Sequence, residues 1–382
     1  MTDRETDFSD NELIRYDRQM ILPGFGREGQ EKLRAGRVLI IGMGGLGSPA
    51  SMFLAAAGVG TLGLADYDRV DLSNLHRQIL HDTASCGNPK VESAARRLAG
   101  INPNSNLVLH RDGVRAGDLP GLFDEYDVIV DCTDNFPTRY MVSDAAVLAK
   151  KPLCYGSIFQ YEGQASFFHP DSGAPCYRCI FPEMPDPAAV PNCAQAGVIG
   201  ALCGIIGSIQ AMEAIKFLTG IGETLAGRLL VVDSATMRTR TLSIKRDSHC
   251  PACSAKARIR KIVPQEYEWS CGDPRDMPVS EITPQELAAK LQSGDAPYLL
   301  DVRDDDECAV GMIPGSVNIP LGELGTRWNE VPKNRPVVTI CLSGMRSERA
   351  RGFLAGKGFA NVANLKGGVK AWARSVDRNF RY

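Results

Sequence analysis

What this sequence lacks narrows its function before any motif is read. It has no surplus charge of one sign: 45 acidic side chains against 43 basic ones leave a formal charge of -2, so nucleic acid is not an expected partner. The amino-terminal stretch MTDRETDFSDNELIRYDRQM lacks a basic patch followed by an apolar core, which excludes reading it as a secretory signal peptide. No apolar run of membrane-spanning length is free of interruption. The nearest, AGVIGALCGIIGSIQAMEAIKFL, carries Gln210, Glu213 and Lys216 at helical spacing, and a buried helix of a soluble protein is expected, with no membrane partner. Internal repeats and low-complexity tracts are also missing.

What is present is cysteine, 12 residues of it. Two close C-x-x-C pairs without a signal peptide point to a reducing, cytoplasmic compartment, where metal ligation and thiol chemistry outrank disulfides. At 382 residues the chain exceeds one ordinary core, so two or three units are expected. The composition shift after residue 254 places a first domain at 1–255, a linker at 256–277 and a second domain at 278–382.

RVLIIG, residues 37–42, is a short apolar strand that runs straight into MGGLGSPASMFLAAAGVG, whose apolar residues continue at helical spacing. TLGLADYD and DVIVDCTDN read as further strands. Strands alternating with helices predict an α/β fold, a doubly wound and mostly parallel sheet with ligand sites at the carboxyl ends of its strands. The Pro-rich stretch 171–193, DSGAPCYRCIFPEMPDPAAVPNC, reads as a long functional loop or crossover.

Gly42, Gly44 and Gly47 form G-x-G-x-x-G between strand and helix, where backbone N–H groups and a helix N-terminus favour phosphate. Asp66, at the end of the next strand, is placed to accept hydrogen bonds from a ribose. That much fits NAD, ATP or a plain tight turn. Arg77 and Lys90 are cations suited to a triphosphate, which tips the reading to ATP. Asp134 and Asn135, in DCTDN, add a carboxylate where Mg²⁺ would bridge phosphate oxygens.

Cys176 and Cys179, with Cys250 and Cys253, are two knuckles able to give four thiolates to one tetrahedral, structural Zn²⁺. A redox role for either pair alone is the other reading, and His249 is a bystander. Cys341 follows the apolar strand VVTI in a glycine-containing loop that opens the helix SERARGFLAGKGF. Backbone N–H groups there would stabilise a thiolate or persulfide, with Arg346 as a nearby cation. Cys193, in PNCAQAGV, is either a reactive thiol or a small apolar residue before the next helix. Cys86, Cys132, Cys154, Cys203, Cys271 and Cys308 are expected as buried filler.

The motifs RYDRQMILPGFG, GMGGLGS, DYDRVDLSNLHRQ, DCTDN and CYRC together resemble the ubiquitin-activating superfamily, in its MoeB/ThiF branch of adenylyltransferases, over roughly residues 10–255. The resemblance implies a Rossmann-like fold and ATP contacts at Gly45, Asp66, Ser73, Asn74, Arg77 and Lys90. It further implies magnesium at Asp134, a homodimer with Arg18 reaching the neighbouring subunit's phosphates, and Cys193 as a crossover-loop thiol. The implied substrate is a ubiquitin-like sulfur-carrier protein with a C-terminal Gly-Gly. The pieces YLLDVRDDDE, GMIPGSVNIPL, CLSGMRS and LKGGVKAW resemble a small α/β rhodanese domain over roughly 278–378, which implies a persulfide on Cys341, an anion held by Arg346, and structural roles for Asp301 and Arg303. Met312 departs from the histidine usual before I-P-G in that family.

The expected reaction is adenylation of the carrier's C-terminal glycine, then sulfur transfer to a thiocarboxylate. Cysteine desulfurase or thiosulfate would supply the sulfur. Molybdopterin, thiamine, cysteine, siderophore and tRNA thiolation pathways all fit. An NAD-dependent oxidoreductase and a non-catalytic docking protein are the competing readings.

Overall fold

The computed structural model describes residues 8–185, 197–267, 281–294, 296–359 and 361–382. They fall into two compact units, Met1–Tyr267 and Glu268–Tyr382. The first runs α1 (Asp10–Met20), α2 (Gly26–Ala35), β1 (Arg37–Ile41), α3 (Gly47–Ala57), β2 (Thr61–Ala65), α4 (Lys90–Ile101), β3 (Asn106–His110), α5 (Leu119–Asp124) and β4 (Val128–Asp131). It continues through α6 (Phe136–Leu148), β5 (Leu153–Phe159), β6 (Glu162–Phe168), α7 (Gly200–Thr219), β7 (Arg228–Asp233) and β8 (Arg238–Ser243).

These strands form one sheet of order β3-β2-β1-β4-β5-β6-β7-β8. Pairing is parallel from β3 to β5 and antiparallel from β5 to β8. The parallel half is Rossmann-like. Its strands, such as RVLII, are apolar on both faces because helices cover both. The chain builds outward from β1 to β3, then returns to lay β4 on the other side of β1. That reversal opens a crevice at the carboxyl ends of β1 and β4, the place where such sheets bind ligands.

One described helix, α7, is long and apolar enough to cross a membrane by length and composition. In the structure it packs on the sheet as a core helix. Gln210 is fully buried and donates from Nε2 to the carbonyls of Asp131 (2.6 Å) and Cys154 (3.2 Å). Glu213 accepts from the Leu225 N–H and pairs with Lys216. Each polar group that interrupts the apolar run is thereby satisfied, as a buried helix requires. Ile206 and Leu202 fill the space over Gly163, and burying side chains of that size stabilises by about 1.5–3 kcal/mol each.

The second unit contains β9 (Glu281–Ile282), α8 (Pro284–Ser293), β10 (Tyr298–Asp301), α9 (Asp305–Val310), β11 (Ser316–Asn318), α10 (Leu324–Arg327), β12 (Val337–Ile340), α11 (Met345–Gly356), β13 (Val362–Leu365) and α12 (Gly368–Ser375). Its sheet is parallel throughout, in the order β11-β10-β12-β13-β9. At the end of β10, Asp301 and Arg303 are both fully buried and share a two-pronged ion pair, with Nη2–Oδ2 at 2.7 Å and Nε–Oδ1 at 3.0 Å. Arg303→Met is expected to strand the Asp301 carboxylate and to destabilise this unit by about 3–5 kcal/mol. Denaturant unfolding followed by tryptophan fluorescence checks it, because Trp328 and Trp372 both lie there.

Cys132, Cys154, Cys203 and Cys308 are buried, whereas Cys86 is exposed. It follows a turn whose Thr83 and Ala84 are also exposed, so the expectation of buried filler is corrected for this residue. Cys193 and Cys271 lie outside the described residues.

Candidate functional site

The glycine turn leaves β1 at Gly42, whose φ of +96° only glycine adopts without strain. A Cβ on Gly47 would stand 1.9 Å from the Gly42 carbonyl oxygen, and one on Gly42 would stand 2.7 Å from that of Cys132. The turn is therefore closed against itself and against the exit of β4. Gly44 is more open, with the Gln78 amide nitrogen 3.5 Å from where its Cβ would be. At Gly45 the Cβ position lies 2.8 Å from Cys203 Sγ and 3.6 Å from Arg77 Cγ, so the Arg77 stem lies along the turn.

Asp66 is buried at the end of β2, where its Oδ2 accepts from the Met43 N–H at 2.7 Å and its Oδ1 from the Asp68 N–H at 2.8 Å. Burial pushes its carboxyl above the ordinary value, against the nearby charge of Lys90 and those two amides. Each oxygen keeps a lone pair for a hydroxyl donor. Lys90, 4% exposed at the start of α4, donates to Asp68 Oδ2 at 3.0 Å. Ser73 and Asn74 share one short turn. Ser73 donates to Asp71, and Asn74 Oδ1 accepts from Arg77 Nη2 at 2.8 Å. The N-terminal end of α7 abuts that turn, since a Cβ on Gly200 would stand 2.2 Å from the His76 carbonyl oxygen.

Asp134 is exposed just past β4. Asn135 caps α6, its Oδ1 accepting from the Thr138 N–H at 2.9 Å. Arg18 is on α1 with an 89% exposed side chain, 3.9 Å from Asp17.

Three supports of this site escaped the sequence reading. His81 is buried, and burial pushes its pKa below the ordinary value. The neutral ring donates from Nε2 to the Met43 carbonyl at 2.9 Å and faces Ser93 Oγ at 2.9 Å with Nδ1. Asp131, fully buried, accepts from the Thr133 N–H and hydroxyl at 2.9 and 2.6 Å and so shapes the loop that presents Asp134. Arg139 Nε lies 3.7 Å from Asp131, and its Nη2 donates to the Thr133 carbonyl at 2.7 Å. Near Gly44, the buried Gln78 Oε1 has no hydrogen-bond partner.

The four cysteines Cys176, Cys179, Cys250 and Cys253 converge, their Sγ atoms all within 4.8 Å of one another. The shortest separations cross between knuckles, at 3.5 Å for Cys176–Cys250 and 3.4 Å for Cys179–Cys253, while Cys176–Cys179 is 3.9 Å. Tetrahedral zinc with sulfur ligands would separate them by about 3.8 Å, so the cluster is compatible with zinc. The Asp247 N–H donates to Cys179 Sγ at 3.4 Å, as outer groups around metal thiolates do. The His249 side chain is 88% exposed and outside the cluster. Arg178, inside the first knuckle, grips the buried Asp144 of α6 with Nε–Oδ1 at 2.8 Å and Nη2–Oδ2 at 2.8 Å. Tyr267 donates to the same carboxylate at 2.9 Å.

In the second unit Cys341 directly follows β12 and is 1% exposed. Its Sγ accepts from the Gly344 N–H at 3.2 Å and lies 3.2 Å from Ser347 Oγ, which in turn lies 2.7 Å from Asn364 Oδ1. Gly344 sits at φ +97°. A Cβ on Gly368 would stand 2.2 Å from the Cys341 carbonyl oxygen, and the Val369 N–H donates to that oxygen at 2.9 Å. The GG of LKGGVKAW thus braces the loop from behind. Arg346 engages Glu307, with Nη1–Oε2 and Nη2–Oε1 both at 2.6 Å.

Comparison with known proteins accounts for both units. Residues 16–252 match the ThiF family and residues 283–375 the rhodanese-like domain. The chain is 44% identical over 378 residues to the probable adenylyltransferase/sulfurtransferase MoeZ of Mycobacterium tuberculosis, which covers 96% of this chain and 94% of that protein. It is 39% identical over 389 residues to the adenylyltransferase and sulfurtransferase MOCS3 of Drosophila grimshawi, covering 97% and 86% of the two chains. Among solved structures it is similar to E. coli MccB with MccA-N7isoASN, at TM-score 0.57 and 22% identity over 65% of this chain and 76% of that one. It is also similar to PaaA, at TM-score 0.54 and 24% identity over 64% and 78%. Those two likenesses speak for the fold alone. The chain belongs to the ThiF family, in the two-part form that the adenylyltransferase/sulfurtransferases share, a ThiF unit followed by a rhodanese-like domain.

Proposed function

We propose that this chain activates a ubiquitin-like sulfur-carrier protein ending in Gly-Gly, first by adenylating its C-terminal carboxylate with ATP and then by converting it to a thiocarboxylate. The observation that carries this reading is the packing of Arg77 along Gly45 in the crevice between β1 and β4, an anion-binding turn with a cation built onto it. The orphaned Gln78 Oε1 beside that turn also suits a ligand.

The carrier's carboxylate oxygen attacks the α-phosphorus, the anhydride bond breaks, and pyrophosphate leaves. Gly42, Gly44 and Gly45 cradle the phosphates. Asp66 takes the ribose hydroxyls, and Ser73, Asn74, Arg77 and Lys90 line the phosphate chain. Arg18 serves the nucleotide of a second copy in a homodimer. Asp134, beside Asn135, would hold Mg²⁺, which supplies charge neutralisation of the phosphates when bound. Cys176, Cys179, Cys250 and Cys253 would hold a structural Zn²⁺ with no open position for chemistry.

Cys341 carries sulfur as a persulfide drawn from a cysteine desulfurase or thiosulfate, with Arg346 beside it. The outer sulfur attacks the acyl carbon and AMP leaves. A second thiol, for which Cys193 is the candidate, then opens the acyl disulfide to release the thiocarboxylate. Carriage of both chemistries on one chain raises the effective concentration of the sulfur at the adenylate.

Carrier-dependent ATP–pyrophosphate exchange tests the first half. Asp134→Asn is expected to slow exchange by about 10²–10³-fold while nucleotide still binds. Binding of NAD with indifference to ATP and Mg²⁺ would instead mean an oxidoreductase, and absence of any exchange in the wild-type chain would mean a docking protein.

A further inference from the structure

We propose that Glu307 is a specificity residue for sulfur loading, holding the Arg346 guanidinium so that Cys341 selects against dianionic sulfur donors. This rests on the reading of Cys341 as a sulfur carrier and specifies which donors it accepts.

Arg346 is the sole cation in the segment CLSGMRSE that wraps Cys341. Its two terminal nitrogens form a fork that would match the oxygens of a sulfonate. In this structure both prongs are taken by Glu307, each at 2.6 Å, and Nη1 also lies 3.3 Å from Asp304 Oδ2. The hydrogen bonds from Arg346 hold the Glu307 carboxyl below its ordinary value, so the carboxylate stays charged. Arg303 offers no substitute, being fully buried and committed to Asp301. Residues 304–307 read Asp-Asp-Asp-Glu, and two of these carboxylates, Asp304 and Glu307, stand against the one guanidinium. An incoming dianion must displace Glu307 from Arg346 and approach Asp304 as well. A donor of lower charge meets neither cost. Discrimination comes from the repulsive element as much as from any attraction.

The transfer is the same for both donor classes. The Cys341 thiolate attacks the donor's outer sulfur, the donor's sulfur–sulfur bond breaks, and Cys341 becomes the persulfide. The electron pair leaves on sulfite when the donor is thiosulfate, or on the cysteine thiolate when it is cysteine persulfide. Only the charge placed near Arg346 differs.

Single-turnover loading of the full chain, read by intact mass as gain of one sulfur on Cys341, tests this with thiosulfate and with cysteine persulfide. Glu307→Gln keeps the shape and removes the charge. It is expected to speed thiosulfate loading about tenfold at low salt, with the gain shrinking at high salt, because the groups are partly exposed and screened. Loading from cysteine persulfide should change by less than about twofold. Asp304→Asn should shift thiosulfate in the same direction by less, and it decides the matter where Glu307→Gln does not fold. An equal change for both donors, or an unmoved ratio, overturns the proposal and leaves Glu307 as a brace for the loop. Loading of wild-type Cys341 from neither donor would instead sink the sulfur-carrier reading, and this proposal with it.

Discussion

Cys341→Ala keeps carrier-dependent pyrophosphate exchange at the wild-type level and loses sulfur transfer from thiosulfate by about 10³-fold or more. Both halves of that result follow from where the residue lies. Cys341 belongs to the second unit and Gly42, Asp66 and Arg77 to the first, so adenylation has no use for the thiol. Sulfur transfer depends on it wholly, because no neighbouring group can take over as nucleophile. The side-chain heteroatom seen beside the sulfur is Ser347 Oγ, at 3.2 Å, and a hydroxyl does not form a persulfide. The substitution itself is mild. Alanine fits the same β12 exit and the carbonyl of residue 341 still accepts from the Val369 N–H, so the loop should stand. Parallel assays of exchange and of thiosulfate-dependent transfer on one preparation check it. Transfer that survives in the variant would remove Cys341 from the mechanism.

Cys250→Ser is the second large effect, and it is structural. The residue is fully buried and its sulfur sits 3.5 Å from Cys176. Serine there gives a poorer ligand and leaves three thiols without a common metal. Zinc content is expected to fall from about one per chain to well below half, since metal binding and local folding are one equilibrium in such clusters. The sheet should survive, because its two apolar cores are built from other residues. The segment 246–259 should become open to protease, and exchange activity should drop with it. Metal release on titration with a thiol reagent, alongside limited proteolysis, reads both. A variant with full metal content and unchanged cleavage would refute the four-thiolate site.

The parts of these sites legible in the sequence are those whose requirement is local. Gly42 and Gly47 are forced by one turn that has no room for a Cβ at either position, and such a requirement prints directly onto the sequence. The cysteine knuckles are legible for a similar reason: each pair is complete within four residues, and only their meeting needs the fold. Cys341 announces itself by following an apolar strand. By contrast, His81 acts on Met43 across 38 positions and Tyr267 on Asp144 across 123. Histidine, tyrosine and aspartate are common enough that nothing local marks those contacts. Arg346 shows the same limit from the other side. The cation was visible, but Glu307, 39 positions upstream, was not. β8, RTRTLS, has no apolar signature because it is exposed along its whole length at the sheet's edge.

The carboxylate of Asp144 ties three things at once: its own helix, the first cysteine knuckle through Arg178, and the last described residue of the first unit, Tyr267. The described part of the first unit therefore ends at a pinned point. Loss of the metal, by loosening Arg178, would leave Asp144 as a buried charge with half its partners and invite Tyr267 to let go. A metal held by the four cysteines would in this way steady the far end of the first unit, well away from its own ligands.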